Sequence, residues 1–294
     1  MKYRITHVTN YEYADPVSVC HNEAYLTPRT FERQVCDYHR LSITPTPSTS
    51  GRRTDYFENP LVYFSFNKGF ETIQIKTISR VEVFRPDKVA DPLNTPAWET
   101  FREAFRAGGN EKALAASQFA FESPRIPTSK TLAEFGRIVF TPGRPLLDAV
   151  LALTAKIHEE FEYDSRATTV NTPVDEVLEK RKGVCQDFAH LEIAILRSLG
   201  LAARYVSGYL RTYPPPGKPQ LVGADASHAW LSVYCGDLGW VDVDPTNNEQ
   251  VQDEHISLAW GRDYGDVCPL KGVYVGGGKH SLHVSVDVVP LAAE

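Results

Sequence analysis

Apolar residues recur at helical spacing in the middle of the chain, between residues 183 and 200. Two adjoining stripes, at intervals of three and four residues, are formed by Phe188, Leu191, Ile195 and Leu199 and by Ala189, Ile193, Leu196 and Gly200. A helix that is apolar over so much of its surface is typical of a buried central helix. Gly183 breaks the chain before it, and Gly200 favours the left-handed turn that ends it. The pattern therefore predicts a buried helix with Cys185 in its first turn.

A different period, two residues, marks the first 85 residues and predicts β-strands. The runs that alternate, or that are rich in aromatic and β-branched residues, are residues 3–7, 41–43, 61–66, 73–75 and 81–83. Short strands separated by turn signals such as Asp55-Tyr56-Phe57-Glu58-Asn59-Pro60 favour a β-sandwich. We assign residues 1–90 to this N-terminal β-sandwich region, which contains no motif that points to chemistry.

The rest of the chain predicts mixed helices and strands. Residues 91–144 are rich in proline and form a connector of irregular chain and short helices, near 98–106 and 132–139. Pro145 opens a longer helix, and a shorter helix follows Thr172-Pro173. Alternation then predicts strands at 203–210, 228–234, 240–244 and 282–288, and Tyr213-Pro214-Pro215-Pro216-Gly217 predicts a stiff, exposed loop. Residues 145–294 are therefore expected to form an α+β core with a C-terminal strand.

Composition narrows the class of protein. The 294 residues are 23% charged and 42% hydrophobic, with a formal net charge of −6, which argues against a nucleic-acid or anionic-membrane partner. No apolar run approaches the roughly 20 residues that span a bilayer, and the first residues lack the apolar segment of a secretory signal. Five cysteines are few and odd in number, so we expect a reduced, cytoplasmic protein without a disulfide framework.

Three chemically active residues follow one another at the ends of predicted elements. At a helix N-terminus the free backbone N–H groups and the helix dipole favour a thiolate, which makes Cys185 a candidate nucleophile. His228 begins one strand of a predicted hairpin and Asp244 ends the other, so antiparallel pairing brings them to the same end of the sheet. Asp242 lies two residues back on the same face, and Asp244 is favoured because Pro245 ends the ladder there.

The motifs around these residues resemble those of the transglutaminase-like cysteine enzyme superfamily. They are Gly183-Val184-Cys185-Gln186-Asp187-Phe188, Ser227-His228-Ala229-Trp230 and Asp244-Pro245-Thr246-Asn247. Three further stretches look like bacterial two-part members with an N-terminal β-region: Tyr3-Arg4-Ile5-Thr6-His7, residues 55–59, and residues 261–267. The resemblance implies a papain-like α+β core and acyl transfer at an amide, in which Cys185 attacks the carbonyl, His228 acts as base and then acid, and Asp244 orients His228.

Neither the residues nor the resemblance decides the acceptor of the acyl group. Water would make the protein a peptidase or amidase acting on a peptide or protein, which is the leading hypothesis, and an amine would make it a crosslinking protein-glutamine gamma-glutamyltransferase. A non-catalytic interaction module that keeps the fold is a third hypothesis. His190 lies one turn beyond Cys185, but these two and Cys235 lack paired ligand spacing, so we expect no metal and no cofactor.

Overall fold

The structure, a computed structural model, describes residues 1–85, 91–108, 110–213 and 226–291. Its strands are β1 (Lys2–Ala24), β2 (Gln34–Thr44), β3 (Thr49–Thr54), β4 (Pro60–Phe66), β5 (Phe70–Val83), β6 (Glu162–Tyr163), β7 (Lys182–Gly183), β8 (Ala203–Leu210), β9 (Ala226–Tyr234), β10 (Trp240–Asp244), β11 (Glu249–Gln250), β12 (His255–Gly261), β13 (Leu270–Gly276) and β14 (His280–Pro290). Its α-helices are α1 (Trp98–Arg106), α2 (Glu111–Ser117), α3 (Lys130–Arg137), α4 (Leu146–Glu160), α5 (Val174–Lys180), α6 (Cys185–Ser198) and α7 (Tyr264–Val267). The predicted α+β class, a β-rich N-terminal region followed by a mixed core, is confirmed.

The N-terminal region is organised by the long strand β1. Strand order is β2-β5-β1-β4-β3, and β13 and β14 from the end of the chain also pair with β1. The first half of β1 pairs with β5 and β14, and the second half pairs with β4 and β13. Side chains of β4 and β5, such as Phe64 and Ile75, share one apolar cluster. The division of the chain at residues 90 and 144 stays a prediction, since the last two strands belong to this first sheet.

The core is built from α6 and an antiparallel sheet in the order β11-β10-β9-β8-β12. The predicted central helix is confirmed: it begins at Cys185, and all its residues from Gln186 to Arg197 are buried. It ends before Gly200, whose φ of +81° is the left-handed conformation that glycine adopts without strain. The predicted hairpin is also confirmed, with Trp240 opposite Tyr234 in the register of β10 and β9.

Several features of the chain differ in extent from their sequence-based prediction. Strand β1 runs through 23 residues, far beyond residues 3–7, because it has a partner on each side along most of its length. Strands β3, β12 and β13 had no predicted counterpart. The predicted proline-rich loop at 213–217 lies, apart from Tyr213, outside the described residues.

An apolar interface joins the two large sheets. The shared cluster includes Tyr3 and Ile5 of β1, Val286 of β14, Tyr209 of β8 and Ile256 of β12. Alternation along β1 explains its contribution, because every second side chain from Tyr3 to Thr9 is buried. This face of the N-terminal sheet therefore lies directly against the core. Within the described ranges, no helix is long and apolar enough to cross a membrane.

Candidate active site

Cys185 is the first residue of α6, and the local sequence holds it there. The Asp187 carboxylate accepts hydrogen bonds from the Val184 backbone N–H at 2.8 Å and from the Thr168 hydroxyl at 2.6 Å. A Cβ atom at Gly183 would lie 2.8 Å from the Asp187 side chain, so glycine is needed for this close approach. Asp187 therefore fixes the start of α6. Cys185 remains half-buried, while the residues that follow it from Gln186 to Arg197 are buried.

His228 and Asp244 lie at the same end of the β9–β10 hairpin. His228 Nε2 is 2.7 Å from Asp244 Oδ2, and the imidazole also lies close enough to the Cys185 side chain to interact with it. Since Nε2 faces the carboxylate, Nδ1 is the ring nitrogen available to the sulfur. The structure thus brings together all three residues that the motifs singled out, although Cys185 precedes His228 by 43 residues in the sequence.

Asp242, the alternative to Asp244, has other partners. Its carboxylate accepts hydrogen bonds from the Trp230 indole at 3.3 Å and from the Ser232 hydroxyl. Both partners lie on β9, where Ser232 is directly opposite Asp242. Asp242 therefore holds the two strands together, and Asp244 is the carboxylate that meets the imidazole.

Asp244 is fully buried and is surrounded by hydrogen-bond donors. His255 Nε2 lies 3.0 Å from the same Oδ2 atom that faces His228, and the Asn247 side-chain amide donates to it at 2.7 Å. The backbone N–H of Thr246 donates to Oδ1 at 2.9 Å. Sequence reasoning missed His255, which starts an unpredicted strand. In the sequence, His255 is only a histidine eleven residues after Asp244, and that spacing alone does not indicate a hydrogen bond between them.

Burial and hydrogen bonding act in opposite directions on this pair. Burial lowers the pKa of His228, but the hydrogen bonds with Asp244 and Cys185 outweigh it and raise the pKa from 6.5 to about 10. Burial raises the pKa of Asp244, but hydrogen bonds from His228 and His255 outweigh it and hold that pKa well below its usual range. The site therefore contains an imidazolium and a carboxylate at neutral pH.

Among the residues that the structure describes, His228, Asp244 and His255 form a group that could hold a metal ion. Their ligand atoms all lie within 4.8 Å of one another. The Nε2–Oδ2 separations of 2.7 and 3.0 Å are those of hydrogen bonds. This donor set fits a hydrogen-bonded cluster better than a metal site.

His190, the other histidine considered as a ligand, is engaged elsewhere. Its Nε2 accepts a hydrogen bond from the Tyr264 backbone N–H at 3.1 Å, and burial lowers its pKa to about 3. The residues beside Tyr264 anchor the chain: Arg262 pairs with Asp266 at 2.9 Å, and the Asp263 carboxylate accepts a hydrogen bond from the Arg125 backbone N–H at 3.1 Å. Tyr264 does more, because it also lines the cavity beside Cys185.

That cavity has a volume of about 310 Å³ and is bordered by both sheets. Cys185, His228 and Tyr205 line it from the core. Thr9 and Leu282 line it from β1 and β14 of the N-terminal sheet. The cleft is therefore incomplete without the first and last strands of the chain.

Comparisons with known proteins agree with the order of these motifs. Residues 136–245 match the model of the transglutaminase-like superfamily, and residues 3–82 match that of the bacterial transglutaminase-like N-terminal region. An uncharacterized protein of Mycobacterium tuberculosis is 40% identical over 301 residues, which cover 100% of this chain and 94% of the relative.

The chain belongs to the transglutaminase-like superfamily. The resemblance inferred from the motifs is confirmed. The matched core contains Cys185, His228 and Asp244, while His255 lies beyond it.

One solved structure and one further sequence are also similar to this transglutaminase-like chain. The crystal structure of a proposed cysteine protease from Cytophaga hutchinsonii superposes with a TM-score of 0.75 at 22% identity, covering 100% of this chain and 92% of that one, and so has the same fold. A protein-glutamine gamma-glutamyltransferase of Pseudomonas aeruginosa is 34% identical over 113 residues, which cover 36% of this chain and 17% of that protein.

Proposed function

We propose that this protein is a cysteine acyl-transfer enzyme that hydrolyses amide bonds in peptides or proteins, with Cys185 as nucleophile. The observation that carries the proposal is the chain of contacts from the partly exposed thiol at the start of α6, through His228, to the buried carboxylate of Asp244. Covalent catalysis by a thiol requires a base beside the nucleophile and a third group that orients the base.

The reaction proceeds in two steps, acylation of Cys185 and hydrolysis of the acyl-enzyme. The Cys185 thiolate attacks the amide carbonyl, and as the carbon–sulfur bond forms and the carbon–nitrogen bond breaks, the His228 imidazolium gives its proton to the leaving amine. Water then attacks the acyl-enzyme, His228 accepts its proton, and the carboxylic acid leaves as the thiolate is restored. The backbone N–H of Cys185, at a helix end where N–H groups lack intrahelical acceptors, donates to the developing oxyanion.

The charge on the imidazole supports this assignment. A pKa of about 10 keeps His228 protonated at neutral pH, so that a thiolate beside it is stabilised as an ion pair. Asp244 accepts the Nε2–H, which fixes the ring with Nδ1 towards the sulfur. In this proposal the His228 imidazolium is the acid of the first step, and Asp244 keeps the ring oriented in both steps.

Selective alkylation tests the proposal. At pH 6 we expect iodoacetamide to modify Cys185 at least ten times faster than Cys36, a half-buried thiol of β2, with each site followed by peptide mass spectrometry. His228→Ala should remove this difference. Hydrolysis of a broad peptide panel should be lost in Cys185→Ala and kept in the matched control Cys36→Ala. Equal alkylation rates and no turnover by wild type would overturn the proposal and favour a non-catalytic interaction module.

Transfer of the acyl group to an amine is the second candidate. The relationship with the Pseudomonas protein-glutamine gamma-glutamyltransferase, although confined to 113 residues, favours testing it. Incorporation of a labelled primary amine into a glutamine-containing protein, dependent on Cys185, would support transfer. Release of ammonia or peptide products without incorporation would support hydrolysis.

A further inference from the structure

The described residues that line the cavity beside Cys185 are mostly uncharged. Among the described residues that line it, none is aspartate, glutamate, lysine or arginine. His7, which also lines it, hydrogen-bonds with the hydroxyls of Tyr209 and Thr9 at 2.8 Å each, and burial lowers its pKa to about 4. His7 is therefore neutral at physiological pH, and the described lining residues offer a charged side chain no counter-ion other than the catalytic pair of Cys185 and His228.

One wall is an apolar surface presented by the N-terminal sheet. In the antiparallel register Thr9 lies opposite Val284 and Tyr11 lies opposite Leu282, so these side chains share one face. Leu282 and Val284 are 54% and 43% exposed, and both line the cavity. On the same face, closer to the start of β1, Ile5 is buried against the core. The sheet thus leaves its apolar face open where it passes the thiol.

This open face has the size and position of a substrate pocket. Ligand pockets generally begin at roughly 300 Å³ and are mostly apolar with a few polar groups, and this cavity measures about 310 Å³. Its polar groups, such as the hydroxyls of Thr9 and Tyr264, are neutral. Leu270 and Pro269 continue the apolar surface towards β13.

We infer that the face formed by Thr9, Tyr11, Leu282 and Val284 is the subsite for the acyl part of the substrate, and that it selects an uncharged, apolar side chain next to the reacting carbonyl. This inference rests on the proposed function, since it concerns the same Cys185 site. The physical reason is desolvation: a carboxylate or ammonium brought against this surface loses water without gaining a partner, whereas an apolar side chain gains by burial.

Matched thiol reagents test the subsite directly. Wild-type protein is treated with the chloromethyl ketones of N-acetyl-leucine, N-acetyl-aspartate and N-acetyl-lysine, and modification of Cys185 is followed by mass spectrometry. Each rate is divided by the rate of iodoacetamide on the same protein, which removes differences in thiol reactivity. We expect the leucine reagent to react at least ten times faster than either charged reagent.

A charge introduced into the face should change that order. Leu282→Lys is expected to lower the rate of the leucine reagent about tenfold and to raise that of the aspartate reagent relative to the lysine reagent. Val273→Lys is the matched control, because Val273 is 69% exposed on the adjacent strand β13 and does not line the cavity. Each rate is again divided by the iodoacetamide rate at Cys185 of the same variant, so that a change in thiol reactivity is not counted as a change in preference.

The outcomes separate the two proposals. Fast iodoacetamide modification of Cys185 with equal rates for the three matched reagents, or an unchanged preference in Leu282→Lys, would overturn the subsite alone. Slow, unselective iodoacetamide modification of wild type would overturn the proposed function and the subsite with it.

Discussion

At the scale of residues, the site depends on keeping one buried carboxylate charged. Asp244 has no exposed side-chain surface, and an isolated buried charge is strongly unfavourable. Two imidazoles, a side-chain amide and a backbone N–H compensate for the lost water. His255 therefore serves His228 indirectly, by holding the acceptor that orients it.

Replacing the carboxylate should lower the pKa of His228. Asp244→Asn removes the main group that opposes burial, so we expect this pKa to fall from about 10 towards 6.5, as followed by NMR titration of the imidazole. Because the folded pKa of His228 exceeds its unfolded value of 6.5, the contribution of His228 to stability is full below pH 6.5 and is lost as the pH rises towards 10. Asp242→Asn is the control, since Asp242 contacts Trp230 and Ser232. An unaltered His228 titration in Asp244→Asn would contradict the assignment.

Removing the second imidazole should destabilise the protein through Asp244. We expect His255→Leu to lower the free energy of unfolding by roughly 1.5–3 kcal/mol, the usual contribution of a hydrogen bond to a charged group, as measured by urea denaturation. His255→Gln, which retains an N–H donor, should lose less. His283→Leu, at an exposed histidine of β14, should stay within about 0.5 kcal/mol of wild type. Equal losses for the leucine and glutamine variants of His255 would argue against the hydrogen bond as the cause.

At the scale of elements, α6 is a buried helix that also contains a buried acid. Glu192 is fully buried, and its Oε1 accepts a hydrogen bond from Thr154 of α4 at 2.8 Å. Within the part of the chain that the structure describes, Oε2 has no hydrogen-bond partner. Burial raises the pKa of Glu192 to about 8, so that the helix is packed around a neutral carboxyl at neutral pH.

Glu192 should make the protein less stable as the pH rises. Its ordinary pKa is 4.5, so between pH 4.5 and about 8 the unfolded chain has lost a proton that the folded chain keeps, and stability falls across this range. Glu192→Gln keeps an acceptor for Thr154 without titrating, and we expect its unfolding free energy to fall by a few kcal/mol less than wild type between pH 5 and pH 8. Glu179→Gln, at an exposed glutamate of α5, should follow wild type. Parallel pH profiles for wild type and Glu192→Gln would refute this prediction.

At the scale of the whole molecule, the two ends of the chain meet in one sheet, and that sheet completes the cleft. Strands β13 and β14 pair with β1, and the cluster containing Ile5, Tyr209 and Val288 joins this sheet to the core. The N-terminal region is therefore part of the site rather than an appendage. We expect the two sheets to unfold together because their shared apolar interface is fully buried.

A destabilising substitution in β1 should therefore also lower the stability of the core. All four tryptophans, at positions 98, 230, 240 and 260, lie outside the first and last strands, and Trp230 and Trp240 lie on strands of the core sheet, so fluorescence follows its unfolding. Ile5→Ala should lower the stability measured by tryptophan fluorescence in urea by about 2–5 kcal/mol, the usual cost of such a cavity. Val19→Ala, on the same strand but 39% exposed, should cost about 0.5 kcal/mol. A fluorescence transition unmoved by Ile5→Ala would mean that the core unfolds independently.

Local patterns in the sequence made the central helix, the β9–β10 hairpin and the three site motifs predictable. The period of the apolar residues determined α6 and the β9–β10 hairpin, because helices and strands bury every third or fourth and every second side chain whatever surrounds them. The three motifs around Cys185, His228 and Asp244 could be read because each lies at the end of such an element. Only the tertiary structure decided that His255 reaches Asp244 and that Thr9 and Leu282, 273 residues apart, share a wall of the cleft. Those contacts depend on which strands become neighbours, and strand pairing is set by the packing of the whole chain, which no local period encodes.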